Sequence, residues 1–239
     1  MLDVQKKVEF SVNGVRLIGD ISGAVYWPAA EAVIVADLHF EKGSAYAARG
    51  VALPPYDTAA SLARLEAVLR AYRPTRLISL GDSFHDDLWT TRMSAPDRAH
   101  LAKLASGVEM HWVTGNHDPT PPRDLPGEAA ADFTLDFDGV LVMRHEPLPR
   151  HDEAFRAGEL AGHLHPCGKI RQRGRTLRRR CFIADEARVI LPAFGALTGS
   201  LNVRDEAFED LFDGLDYEAV LLGQDRLARI SAKRLLPDR

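Results

Sequence analysis

Residues Ala32–His39 read AVIVADLH. A continuous apolar run of β-forming residues marks a strand covered on both faces, not one with a face in water. This strand stops on Asp37-Leu38-His39. The same design recurs along the chain. RLISLG (76–81) runs into Asp82, with His85 and Asp86 close behind, and HWVTG (111–115) into Asn116, His117 and Asp118. VLVMR (140–144) ends on His145, and ELAG (159–162) on His163 and His165. In α/β folds ligands sit outside the carboxyl ends of the strands, so five such ends point at one site.

Between these strands lie elements of other kinds. EFSVNGVRLIGDI (9–21) predicts a hairpin turning at Asn13-Gly14, and AVYWP (24–28) another strand. Residues 57–74 predict a helix capped by Asp57, with Leu62, Leu65, Leu69 and Tyr72 as its apolar stripe and Pro74 as its stop. A second helix is expected over 94–106, capped by Ser94. CFIADEARVILPAF (181–194) and the pair YEAVLLG and RLARIS near the end add strands, while 198–215 reads as helix or loop. Strand and helix alternate in the first half, and strands dominate the second. The expectation is one domain over 1–239: an α/β fold of two packed mixed sheets with helices outside, its core at about 32–200 and a strand pair at about 216–232.

The chain has 239 residues, 46% apolar and 27% charged, as in a globular protein. It contains no apolar run of the ~18 residues that a membrane span needs. MLDVQKKVEFSVNG carries no apolar leader, and two cysteines, Cys167 and Cys181, make no disulfide framework. A cytoplasmic setting is expected. The net charge of -4 argues against binding nucleic acid through bulk charge. Positive charge must then be local: bound metal, or the run KIRQRGRTLRRR (169–180) with its seven Lys and Arg.

Six of the nine histidines fall at the strand ends. Asp37, His39, Asp82, Asn116, His145, His163 and His165 form an oxygen/nitrogen donor set without thiolate, which suits manganese, iron, zinc or cobalt. Seven donors are too many for one four-coordinate zinc and suit two ions sharing a carboxylate. On an extended chain residues i and i+2 face the same way, roughly 6.5–7 Å apart. Asp37 with His39, and His163 with His165, are expected to be such pairs.

At these residues the chain resembles the calcineurin-like metallophosphoesterases. ADLHF, GDSFHD, GNHD, the lone histidine of RHEP and GHLHP match that family's blocks in order over 36–166. ADLHFEKG, HEPLP, GHLHP and LPAFGALTGS are similar to the bacterial ligase-associated DNA damage response endonucleases and carry the likeness to about residue 200. The resemblance implies a four-layer α-β-β-α sandwich. It implies a first ion held by Asp37, His39, Asp82 and His165, and a second by Asp82, Asn116, His145 and His163, with manganese as the metal. Hydroxide from metal-bound water would attack a DNA phosphodiester in line, and His117 would protonate the leaving oxygen. Asp118 would orient His117, with His85 in support. The DNA would be single-stranded or damaged, with a DNA ligase and a helicase as associates.

Lys42, Tyr46 and Arg49 after the first block read as a phosphate clamp or a solvated loop. Arg171 and Arg173 in the basic run read as DNA contacts or solvated charge. Two other functions stay open: a phosphoesterase acting on a nucleotide or cyclic nucleotide, and a docking subunit whose metals are structural.

Overall fold

The structure, a computed structural model, describes residues 6–54, 56–120 and 122–238. Residues 1–5, part of the stretch expected to carry no leader, lie outside the described residues. The first sheet begins with the hairpin β1 (Lys7–Val12) and β2 (Val15–Asp20). Asn13 and Gly14 take φ of 51° and 79°, as a tight hairpin turn demands. Then come β3 (Val25–Trp27), β4 (Ala32–Val35), β5 (Arg76–Leu80), β6 (Glu109–Val113) and β7 (Glu128–Ala130), in that spatial order. Pairing is antiparallel up to β4 and parallel from β4 to β7. Every residue of β4 is buried, as its unbroken apolar run requires.

Among the described residues the second sheet holds nine strands. They are β8 (Asp132–Asp136), β9 (Val140–Arg144), β10 (Glu159–Ala161), β11 (Pro166–Gln172), β12 (Arg175–Ala184), β13 (Arg188–Ile190), β14 (Leu201–Asn202), β15 (Glu218–Leu222) and β16 (Leu227–Ser231). β9, β10 and β13 run parallel, while β11 and β12 form a hairpin that carries the basic run.

Four helices accompany the first sheet: α1 (Lys42–Ala48), α2 (Asp57–Tyr72), α3 (Trp89–Arg92) and α4 (Ala95–Ser106). Leu62, Leu65 and Val68 of α2 and Leu101 of α4 pack on Val33, Val35, Leu77 and Trp112 of its outer face. The inter-sheet core joins Leu17, Trp27, Ile34 and Leu80 to Leu141, Leu160, Phe182 and Val189. On the far face of the second sheet, Phe208, Leu211, Phe212 and Tyr217 cover Cys181, Ile183 and Leu221. The 198–215 segment is therefore mostly loop, with β14 and one 3-10 turn at Glu206–Phe208; the fourth layer is thin. No helix among the described residues is long and apolar enough to cross a membrane.

The caps divide. Ser94 caps α4, its hydroxyl accepting from Asp97 N–H. Asp57 does not cap α2: Tyr56 occupies the cap position, and Asp57 Oδ2 accepts instead from Gly43 N–H at 2.9 Å. A tertiary donor outcompetes the local one and ties α2 to the start of α1.

Candidate metal centre

The parallel strands β4, β5 and β6 of one sheet and β9 and β10 of the other bring their carboxyl ends to one place. Backbone bonds stitch the sheets together there. His163 N–H donates to the Asp37 carboxylate at 3.0 Å, and Gly162 N–H to the His145 carbonyl at 3.0 Å. Beyond β13, Phe194 and Gly195 N–H donate to the Ala36 and Asp37 carbonyls at 2.8 and 3.0 Å.

The backbone here is not extended. Asp37, His39, Asp82, His163 and His165 all have positive φ, between 44° and 69°. The expected i, i+2 strand pairs are thus corrected: each chain turns at the strand end instead of continuing straight. Asp, Asn and His tolerate this left-handed region better than other side chains, at ~1 kcal/mol or more apiece. The reward is aim. His39 N–H and Phe40 N–H donate to the carbonyls of Asp82 and Ser83 at 2.9 Å each, which folds the first block onto the second. Glycines make room. A Cβ on Gly81, at φ 74°, would stand 2.6 Å from His145 Cβ, and one on Gly162 2.7 Å from Asp37 Oδ2.

Two donor sets result. In one, His39 Nε2 lies 3.3 Å from His165 Nε2, which lies 3.4 Å from Asp37 Oδ1. In the other, His145 Nε2 lies 2.9 Å from Asn116 Oδ1 and 3.1 Å from His163 Nδ1. Asp82 stands between them: Oδ2 is 3.6 Å from His39 Nε2, and Oδ1 is 3.4 Å from His145 Nε2. His163 and His165, two apart in sequence, belong to different sets.

The tautomers test whether a cation fits. His145 Nδ1–H donates to the Leu80 carbonyl at 3.0 Å, so in the neutral ring that a metal ligand requires it is Nε2 that offers the lone pair. That lone pair faces Asp82 Oδ1 and Asn116 Oδ1, both acceptors. Acceptors packed this closely repel unless a cation lies among them. Ligands ~2.1 Å from a shared ion stand about 3.0–3.4 Å apart, close to the separations found here. Burial reinforces the point. It holds the His39 imidazole far below its ordinary range, with His165 adding to the effect, and lowers His163 in the same way. These rings are neutral, as metal ligands must be.

His117 stands beside Asp82. Its N–H donates to Asp82 Oδ1 at 2.9 Å, and its Nδ1–H to the His85 carbonyl at 2.9 Å, which leaves Nε2 free. The His85 ring stacks on it, 4.9 Å between centroids. Burial, and next His117 itself, hold His85 down at about 4. Asp118 does not orient His117. Its carboxylate accepts from the N–H groups of Asp82, Ser83, Phe84 and Gly115 at 2.7–3.1 Å, so it clamps the second block to the third. Burial nevertheless lifts its carboxyl, to about 7.

The cluster opens into a cavity of about 210 Å³ lined by His39 and His165 of one set, Asn116 and His163 of the other and Asp82 between them, with His85, His117, Lys42 and Tyr46. Burial lowers the Lys42 ammonium against the pull of Asp82 and Asp37. Tyr46, its ring 5.7 Å from His85, reaches the cavity only because α1 forms, and no periodicity announced so short a helix. Arg49 is exposed beyond the end of α1 and does not line the cavity. Arg171 and Arg173 are also exposed, at the tip of the β11–β12 hairpin. Arg171 is five residues past Pro166, about 16 Å along the strand, so neither is brought to the cavity.

The nuclease MPE of Pseudomonas putida has a solved structure that superposes with a TM-score of 0.67 at 27% identity, over 94% of this chain and 100% of that one. The chain fits the calcineurin-like metallophosphoesterase superfamily. YfcE, a phosphoesterase from E. coli, aligns over 84% of this chain and 98% of its own, at 13% identity and a TM-score of 0.42, too loosely to bear on function. No family model and no curated protein matches the chain. The superfamily's fold and the buried Asp/His cluster agree on divalent metal as the occupant of the site.

Proposed function

We propose that the chain is a two-metal phosphodiesterase that cuts DNA. The observation that carries this reading is Asp82, whose two oxygens face two separate donor sets. Asp37, His39, Asp82 and His165 would hold one ion, and Asp82, Asn116, His145 and His163 the other. When bound, two divalent ions polarise the phosphoryl oxygens and supply a water acidic enough to attack at neutral pH. Manganese is the proposed metal, and zinc, iron and cobalt suit the same donors.

His117 serves as general acid. Its Nδ1–H is committed to the His85 carbonyl, so the proton it gains and gives sits on Nε2, toward the cavity. The stacked His85 ring keeps it in place. Lys42 offers its ammonium to a non-bridging phosphate oxygen. We read the substrate as a polymer, since the cavity is small, about 210 Å³, and open, so that the groups on either side of one phosphate can extend beyond it. The likeness to a nuclease of 27% identity supports the same choice. A place in DNA repair beside a ligase and a helicase, and a cytoplasmic setting, remain part of the proposal.

The test is nicking of circular single-stranded and duplex DNA with Mn²⁺, Zn²⁺ or Mg²⁺. His117→Gln is expected to lower the rate on DNA by about 10²- to 10⁴-fold with metal content unchanged. It should slow bis-p-nitrophenyl phosphate far less, since that leaving phenolate needs no proton. Absence of DNA cleavage with every metal defeats the nuclease reading.

A further inference from the structure

Three arginines near the metal centre have no acidic partner. Arg64 (on α2) and Arg180 (on β12) donate to the carbonyls of Phe194 and Ala193, consecutive residues of the loop whose N–H groups hold Ala36 and Asp37. Arg179 donates only to the backbone of Arg178. Among the described residues no carboxylate lies within 4.0 Å of any of these three, whereas Arg178 has Asp238 at 3.5 Å. Arg64 Nε is buried without a partner. Burial and the nearby Arg180 bring the Arg64 guanidinium down to about 10. A chain with more acids than bases thus leaves these three guanidiniums without an acid among the described residues, Arg64 near Arg180 and Arg179 next to it in sequence. A carbonyl is a weak partner for a buried guanidinium, and a phosphate is the acceptor such a fork fits.

The place is specific. β12 runs antiparallel to β13, which runs parallel to β10, so Arg180 lies at the same end of the sheet as His163. Arg180 pairs across the hairpin with Cys167, two residues past His165. One strand spacing and two residues of rise put the Arg180 backbone about 8–10 Å from that of His165. A groove of about 370 Å³ opens here, lined by Arg178, Arg179, Arg180 and Ser200 with Ile21 and Gly223.

We propose that this groove holds a backbone phosphate of the polynucleotide close to the bond being cut. The inference rests on the nuclease reading above and deepens it. A second anion site on the β12 side of the metals, not the hairpin tip, positions the strand.

The test reads binding of a fluorescein-labelled single-stranded oligonucleotide by anisotropy in EDTA, from 50 to 200 mM KCl. Each phosphate contact contributes ~0.7 to the slope of log affinity against log salt. Arg179→Ala/Arg180→Gln removes the contacts to that one phosphate and is expected to lower the slope by about 0.7, so wild-type affinity falls about 2.6-fold more than the variant's over the window. Arg179→Glu, an exposed change that spares the fold, should weaken binding as well. Arg171→Ala/Arg173→Ala removes equal charge at the hairpin tip and should leave the slope as it is. An unchanged slope in the groove variants, or the same drop in the tip variant, overturns the proposal. Wild type that binds DNA but cleaves neither DNA nor bis-p-nitrophenyl phosphate defeats the nuclease reading instead, and the groove still stands or falls on its binding curves.

Discussion

Asp118→Asn separates a clamp from a catalytic helper. Oδ1 of Asp118 accepts from Asp82 N–H and Gly115 N–H, and Oδ2 from Ser83 N–H and Phe84 N–H. Asparagine keeps the shape, but whichever way it turns, its NH₂ group faces two N–H donors. Two hydrogen bonds to a charged acceptor are lost, at about 1.5–3 kcal/mol each, so the expected destabilisation is about 3–6 kcal/mol. That is a large part of the 5–15 kcal/mol by which a typical domain is stable. With a urea dependence near 3 kcal/mol per molar, the unfolding midpoint falls by about 1–2 M. The measurement belongs in EDTA at pH 8, where metal does not contribute and a carboxyl raised to about 7 is ionised. The displaced Asp82 should also weaken metal binding. A midpoint within about 0.3 M of wild type, with cleavage lost, would refute the clamp and return Asp118 to the reaction.

Two further outcomes follow from the site. Gly162→Ala places a Cβ 2.7 Å from Asp37 Oδ2 and 2.8 Å from Ala36 Cβ, so metal titration should show at least a ten-fold weaker site while the far-ultraviolet spectrum stays native; unaltered affinity would mean that the Asp37 loop yields freely. The metal-free protein should lose stability in acid. His39, His85 and His163 have their ring pKa lowered in the fold, so below the ordinary value near 6.5 the unfolded chain takes up protons that the folded chain refuses. Their stabilisation is full above pH 6.5 and is lost progressively toward pH 4, the value to which His85 is held. Asp118, its carboxyl lifted to about 7, works in the opposite sense over the same range, so the comparison is with His85→Gln: from pH 7.5 to 5 in EDTA the variant's urea midpoint should drop less than the wild type's, and parallel profiles would contradict the burial of the His85 ring.

The sequence by itself determined the strand ends and their chemistry. An unbroken apolar run such as AVIVA can only be a covered strand, and five runs ending on Asp, Asn or His have one place to meet, because parallel strands share a carboxyl end. The Asn13-Gly14 hairpin and the Ser94 cap were legible for a similar reason: their hydrogen bonds lie within a few residues. What tertiary structure decided depends on distant partners. Asp57 left its own helix for Gly43, and Asp118 left His117 for four N–H groups on two loops. The five ligand-type residues at positive φ hold that shape because neighbouring loops bond it in place, and this is what divides His163 from His165. Arg179 and Arg180 stood out in sequence as part of the basic run, but Arg64 beside Arg180 was invisible, because it sits on another element more than a hundred residues away. Only folding decides which charges find an acid and which are left without one.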